Sequence, residues 1–262
     1  MKKILAFIKK GFLETINYRV YFIFNLLVIF ILVTFWYYLC KAFENRIDGA
    51  DLFSYFLIGA GFARYITHGV IRGFAYNPMK EIERGTLESN WATPTRPLTI
   101  IIYSAVWDFI YVSFQVLLIL LAGKVFFGAN IHMENFIPAL PVVFLFIVCC
   151  IFIGVILSSF ILIFKHLEPF TGFVEILFSL LGGAYFPIHV LPQALQDISK
   201  FLPITYALNA LRAVLMKNAS LSDIGSDLSA LLIFIIFLFP LSFLIFDYAL
   251  SRNRITGNFI SY

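Results

Sequence analysis

Apolar residues along this chain gather in six long runs, separated by short stretches that hold most of the charge. The runs are Val20–Phe43, Leu52–Tyr76, Leu98–Phe127, Phe136–Phe164, Pro169–Phe186 and Leu228–Leu250. A membrane-crossing α-helix needs ~20 residues, so each run is expected to span, several of them with tilt. Ten-residue segments of alternating hydrophobicity, the mark of a membrane barrel, are not seen. The expected fold is an all-α membrane protein of one domain, residues 1–262, with six transmembrane helices.

Two further patterns are amphipathic and are not spans. In Met1–Arg19, drawn as a helix, Ile4, Leu5, Ile8, Phe12 and Ile16 share one side. Lys2, Lys3, Lys9, Lys10, Glu14 and Asn17 fall mostly on the other. This predicts an interfacial helix lying on an anionic leaflet. With no small-residue cleavage site, it is not read as a cleaved signal.

The second pattern is LFSLLGGAYFPIHVLPQALQDISKFLPITYALNALR, Leu177–Arg212. Gly182, Gly183 and Pro187 are expected to end span five. Pro192–Phe201 then fits one short helix with Leu191, Leu195, Ile198 and Leu202 as its apolar stripe. Gln193, Gln196, Asp197 and Lys200 take its other side. Pro203 restarts the chain, and Ile204–Met216 fits a second helix. There Leu208, Leu211 and Leu215 face one way, and Thr205, Asn209 and Arg212 form a wet face. Neither helix is long enough to span, so the expected geometry is a re-entrant hairpin between spans five and six, within the outer segment 187–227. Broken backbone at membrane depth must be packed in protein or line a watery cavity. The segment is therefore expected to form the outer gate of a translocation path.

Composition agrees: 61% of residues are hydrophobic and 13% charged, and mean hydropathy is +0.92. A soluble domain would carry more charge. Cys40, Cys149 and Cys150 lie inside apolar runs, with neither zinc nor disulfide spacing, and read as packing residues. The basic balance reflects loop charge and does not imply a nucleic-acid partner. With the N-terminus inside, the cytoplasmic set is Lys2, Lys3, Lys9, Lys10, Arg19, Lys80, Arg84, Arg96, Lys165, Arg252 and Arg254. The outer set is Lys41, Arg46, Lys124, Lys200, Arg212 and Lys217. Eleven against six predicts a multi-pass protein of the cytoplasmic (inner) membrane with both termini in the cytoplasm.

The inner loop, NPMKEIERGTLESNWATPTRP, spans residues 77–97. Lys80, Glu81, Glu83, Arg84 and Glu88 make a charged helical stretch that Gly85 interrupts. Thr86 is placed to cap the helical turn after it. Leu87 and Trp91 are four apart, an apolar anchor pair on one face. Such a helix suits either docking into a partner's groove or resting at the headgroups.

Charges also occur inside the runs. Arg64, His68 and Arg72 are each four apart and share one face of span two. Counted from the span ends, Arg64 and Asp108 fall at similar depth. An intramembrane arginine is costly and is usually paired or water-facing. Arg64 is expected to pair with Asp108, within or between subunits. A sharper reading has Arg64, His68 and Arg72 attract an anionic headgroup. A blander one has Arg72 snorkel and His68 make a buried polar contact. Glu175 and Asp247 lie nearer the cytoplasmic ends and are expected to be hydrated.

The inner stretch EIERGTLESNWATPTRP resembles the loop of type-2 ATP-binding-cassette (ABC) exporter permeases, with its E-x-x-x-G-T-L-E followed by A-T-P. The segment GGAYFPIHVLPQALQDISKFLPITYALNALR resembles the same family's outer segment. The two occur in the family's order, and the resemblance covers essentially the whole chain. It implies a permease subunit, paired with a second copy as a homodimer and with a cytosolic ATPase dimer. Glu81, Glu83, Arg84, Gly85, Thr86, Leu87, Glu88 and Trp91 would couple to that ATPase. Gly182, Gly183, Pro187, Pro192, Pro203, Tyr206 and Arg212 would form the outer gate. Leu202–Pro203 stands where the family commonly has N-P. ATP and magnesium would sit on the partner, since this chain has no G-x-x-x-x-G-K-[ST] phosphate loop and is not expected to be an enzyme itself.

The implied function is ATP-driven export of a lipid, lipid-linked glycan or amphipathic drug. The alternative is a proton-coupled secondary transporter using Asp108, Glu175 and Asp247. That alternative leaves the inner-loop motif unexplained.

Overall fold

The computed structural model describes residues 2–17, 19–43, 51–83, 95–164 and 168–256. Among these, every regular element is helical. Four helices are long and apolar enough to cross a membrane: Phe22–Ala42, Pro97–Phe127, Met133–Phe164 and Gly225–Arg252. The chain is a multi-pass membrane protein.

Helix α1 (Lys2–Asn17) leads into α2 (Arg19–Phe43). Helix α3 (Leu52–Arg64) opens on Asp51, whose carboxylate accepts from Ser54 N–H at 3.0 Å and from its hydroxyl at 2.6 Å. Span two does not continue as one regular α-helix. From Tyr65 to Tyr76 it widens into a π-helix, closed where Asn77 N–H donates to the Arg72 carbonyl five residues back. Helix α4 (Asn77–Glu83) comes next. Helix α5 (Pro97–Phe127) starts on a proline, which has no N–H to waste, and stops at Gly128. There φ is +69°, a left-handed turn that favours glycine.

Helix α6 (Phe136–Phe164) matches the fourth apolar run. Helix α7 (Glu168–Leu181), the fifth, has 14 residues, about 21 Å, well short of a bilayer core. The expected run to Phe186 is cut at Gly182, and Gly183 turns at φ +77°. Helices α8 (Gln193–Ser199) and α9 (Pro203–Lys217) form the broken segment, and α10 (Gly225–Thr256) closes the chain. Between α9 and α10, Asp223 accepts from Ser220 N–H and hydroxyl, each at 2.8 Å, which holds its carboxyl below the ordinary carboxylate value.

The π-helical segment is the centre of the core. Ile66, Val70 and Phe74 are fully buried between α5 and α6. Small residues set how closely the helices approach. A Cβ at Gly154 of α6 would overlap the Phe74 ring, and one at Gly73 would meet Ala105 of α5. The Ser158 hydroxyl of α6 donates to the Phe74 carbonyl. Helix α10 packs mainly along α6, while much of its remaining surface and that of α2 stays apolar and open, as lipid contact requires.

Helix α1 runs beside the first turns of α5. Phe7 meets Tyr103, and Phe12 meets Trp107. Trp107 Nε1 donates to Thr15 at 3.0 Å, and Lys3 donates to Thr95 at 2.8 Å. Leu5, Phe12, Leu13 and Ile16 remain exposed, an apolar surface available to a leaflet.

Candidate functional site: a polar stripe beneath an arginine latch

Between Arg64 and Tyr76 five residues remain open: Arg64, Thr67, His68, Arg72 and Tyr76. The other eight are buried. The open line of an otherwise apolar span is thus entirely polar or cationic. Neighbouring helices answer it. On α7, Thr171, Glu175 and Ser179 recur every four residues, with Thr171 and Ser179 buried. Thr67 donates to Glu175 across this contact at 2.9 Å. On α5, Asp108 and Gln115 are two turns apart and both buried.

The Arg64–Asp108 pair expected within the chain is corrected here. Asp108 is instead paired with Arg72, Nε to Oδ1 at 3.6 Å, and accepts from Asn77 at 3.0 Å. Arg64 donates to Gln115 Oε1 through Nε at 3.2 Å and Nη2 at 3.0 Å. Its Nη2 also lies 3.3 Å from His68 Nε2. The helices are antiparallel, and their contacts keep a nearly constant sum of residue numbers: 64 with 115, 65 with 113, 72 with 108, 73 with 105. Pairing 64 with 108 would be two turns out of that register. Glu175, expected to be hydrated, is held by Thr67.

A second cluster closes the stripe at the end expected to face outward. Arg212 of α9 is 7% exposed. It donates to the carbonyls of Gly183 at 2.9 Å, Ala184 at 3.1 Å and Tyr55 at 3.2 Å. Its guanidinium lies 3.4 Å from the centre of the Tyr55 ring. One side chain thus latches α9 to α3 and to the loop at Gly183 and Ala184. The wet face expected for α9 is therefore corrected: Thr205 and Arg212 are buried, and Asn209 alone of the three is exposed. The loop after α7 folds over that face. Beside the latch, Trp36 stacks between Phe56 and Tyr185, with centroids at 5.1 and 5.7 Å.

The other residues expected at the outer gate pack around this arrangement. Pro187 precedes a single 3₁₀ turn, Ile188–Val190, and Pro192 precedes α8. Helix α8 covers Gln193–Ser199, less than Pro192–Phe201, and Ile198 of its expected apolar stripe is 45% exposed. Pro203 starts α9, and the Tyr206 hydroxyl donates back to the Lys200 carbonyl at 3.1 Å. A Cβ at Gly182 would overlap the Phe178 carbonyl and Ile204. Glu81 and Glu83 end α4. Arg84, Gly85, Thr86, Leu87, Glu88 and Trp91 of the coupling stretch lie outside the described residues.

Sequence reasoning missed Gln115, Thr67 and the α7 stripe. For Gln115 a signal existed: it sits seven residues beyond Asp108 on a helix with few other polar residues. A family model described as ABC-2 type transporter matches residues 2–216. No match is found among curated proteins. The matched region runs from α1 through nearly all of α9, and so includes both clusters.

Proposed function

The chain belongs to the ABC-2 type transporter family, and on that premise we propose that it is the permease subunit of an ATP-driven exporter in the cytoplasmic membrane. The family match across residues 2–216 carries this reading. Two copies pair around the path, and a separate ATPase dimer supplies ATP and magnesium. The loop 77–97 docks on that ATPase through Leu87 and Trp91, with Glu81, Glu83, Arg84 and Glu88 on its charged side. Arg64, His68, Arg72 and Asp108 line the path. Polar side chains at that depth cannot face hydrocarbon cheaply, so a watery path is the economical surface for them. The hairpin α8–α9 dips into the outer leaflet, and the Arg212 latch is the closed outer gate.

Transport then proceeds from this geometry. Cargo enters from the inner leaflet beside span two. Closure of the ATPase dimer pulls on the coupling loop, and α5, which begins just after it, carries the movement to the latch. The cargo is a lipid, lipid-linked glycan or amphipathic drug, because such molecules reach a lateral opening from the membrane itself.

The test is ATP hydrolysis in lipid nanodiscs after co-expression with a neighbouring ATPase gene. Leu87→Asp with Trp91→Asp is compared with the unmodified chain. The expected outcome is a stable complex that hydrolyses ATP, with the double variant dissociated or uncoupled. If no ATPase associates and the variant behaves as the parent, the exporter reading fails and the proton-coupled one replaces it.

A further inference from the structure

Gln115 is 1% exposed, and its two ends are treated differently. The oxygen accepts both Arg64 bonds. The Nε2 amide is buried with no hydrogen-bond partner among the described residues. A buried donor left unmet needs an explanation, and an absent ligand is one of the few available. The surroundings narrow the chemistry. Arg64 donates through Nη2 to His68 Nε2, which places the imidazole proton on Nδ1 and makes that atom a donor. Of the acceptors nearby, Gln115 Oε1 takes both Arg64 bonds, Asp108 takes Arg72 and Asn77, and Glu175 Oε1 takes Thr67. The cluster thus offers an amide N–H₂ and an imidazole N–H beside the positive charge of Arg64, whose Nε and Nη2 donors are held by Gln115 and His68. A phosphate or carboxylate, anionic and acceptor-only, complements such a set. A cation would meet like charge and donors there.

We propose that Arg64, Gln115 and His68 form a binding site for an oxyanion, a phosphate or carboxylate, carried by the molecule that moves through the path. The inference rests on the permease reading and names the cargo's polar group. Arg64 supplies charge. Gln115 serves twice: its oxygen fixes the guanidinium, and its amide nitrogen donates to the ligand. His68 donates from the next turn. Arg72, held by Asp108, keeps the stripe cationic toward the end where cargo enters without competing for the ligand. The carboxylates of Asp108 and Glu175 flank the site and limit it to one anionic group.

The test uses the full chain purified in maltoside micelles and follows thermal unfolding, since a ligand that binds the folded state raises the transition. Dodecyl phosphate, dodecylphosphocholine and inorganic phosphate are titrated separately. Dodecyl phosphate is expected to give a saturable rise that dodecylphosphocholine does not. Arg64→Gln and Gln115→Glu should each weaken half-saturation by about tenfold or more. Gln115→Glu keeps the side-chain shape and gives Arg64 a carboxylate, so its transition without ligand reports whether it folds. Lys9→Gln with Lys10→Gln, on the exposed face of α1, removes the obvious nonspecific anion surface and should keep the parent response. If inorganic phosphate reproduces the rise with the same dependence on Arg64 and Gln115, the oxyanion arrives free. If only the alkyl phosphate does, it arrives as a headgroup. Equal response to phosphocholine, an unchanged response in both stripe variants, or loss only in the α1 variant overturns the proposal. No ATPase is present, so this outcome is independent of whether one associates.

Discussion

At Gly59 the α3 backbone touches the loop that covers it. A Cβ there would overlap the Ala184 carbonyl and crowd Arg212 Nη2. Gly59→Ala is therefore expected to cost about 1–3 kcal/mol, since backbone must move to admit one methyl. Arg212→Met leaves the buried carbonyls of Gly183 and Ala184 without their donor, removes a bond to Tyr55 and is expected to cost roughly 2–4 kcal/mol. Arg212→Lys should recover only part of this, because an ammonium cannot reach three acceptors as a planar fork does. Thermal unfolding in micelles measures all three. The two sites share one latch, so Gly59→Ala should cost less in an Arg212→Met background than alone. Full additivity would show that Arg212 does not hold the loop. The spacing of Thr205, Asn209 and Arg212 was legible, but periodicity only sorts residues onto faces. It does not say that residues 182–186 fold back over one of them. The Arg64 partner was missed for a related reason. Depth was counted from helix ends, yet α5 has 31 residues, about 46 Å, and cannot end flush with both faces of a ~30 Å core.

Among elements, α1 is the one whose attachment the sequence left open. Its amphipathic pattern predicted a surface helix, and an apolar surface is indeed exposed. Of the residues that meet α5, Phe12 belongs to the expected stripe, but Phe7, Gly11 and Thr15 do not. A Cβ at Gly11 would overlap Trp107 near its backbone, where the ring cannot swing aside. Gly11→Leu is expected to pry α1 from α5 and break the Trp107–Thr15 bond. The measurement is Trp107 fluorescence with the other tryptophans replaced by phenylalanine: the emission should shift and become accessible to an aqueous quencher. An unchanged spectrum would mean α1 does not depend on this contact. Apolar runs located the long helices to within a few residues because length and hydropathy alone decide them. They could not distinguish an α-helix from the π-helix at Tyr65–Tyr76, since both satisfy the backbone internally and both look apolar in sequence. Nor could they show that the fifth run stops at Leu181. The Gly182 and Gly183 pair that stops it lies inside that run.

For the molecule as a whole, exposure in the isolated chain has two meanings. Ile233 of α10 is 54% exposed and sits in an apolar surface suited to lipid. Thr67 and His68 are half-exposed in the polar stripe, which suits water. A cysteine separates the two, because maleimide reacts with the thiolate, and a thiol in hydrocarbon stays protonated. The native Cys40, Cys149 and Cys150 are buried, so background labelling should be low. Thr67→Cys and His68→Cys are expected to react with a membrane-impermeant maleimide at least roughly tenfold faster than Ile233→Cys. Val70→Cys, on the fully buried side of the same segment, should stay silent in the folded protein. Comparable slow labelling at positions 67, 68 and 233 would mean the stripe is sealed, by a second copy or by lipid, and is not part of an aqueous path. Adding a nonhydrolysable ATP analogue to the ATPase complex extends the test to the latch. Label applied from the face opposite the ATPase should reach position 67 only when the bonds from Arg212 to Gly183, Ala184 and Tyr55 have opened. Arg212→Met should admit it without nucleotide, because the cation that ties α9 to α3 and to the loop at Gly183 and Ala184 is gone.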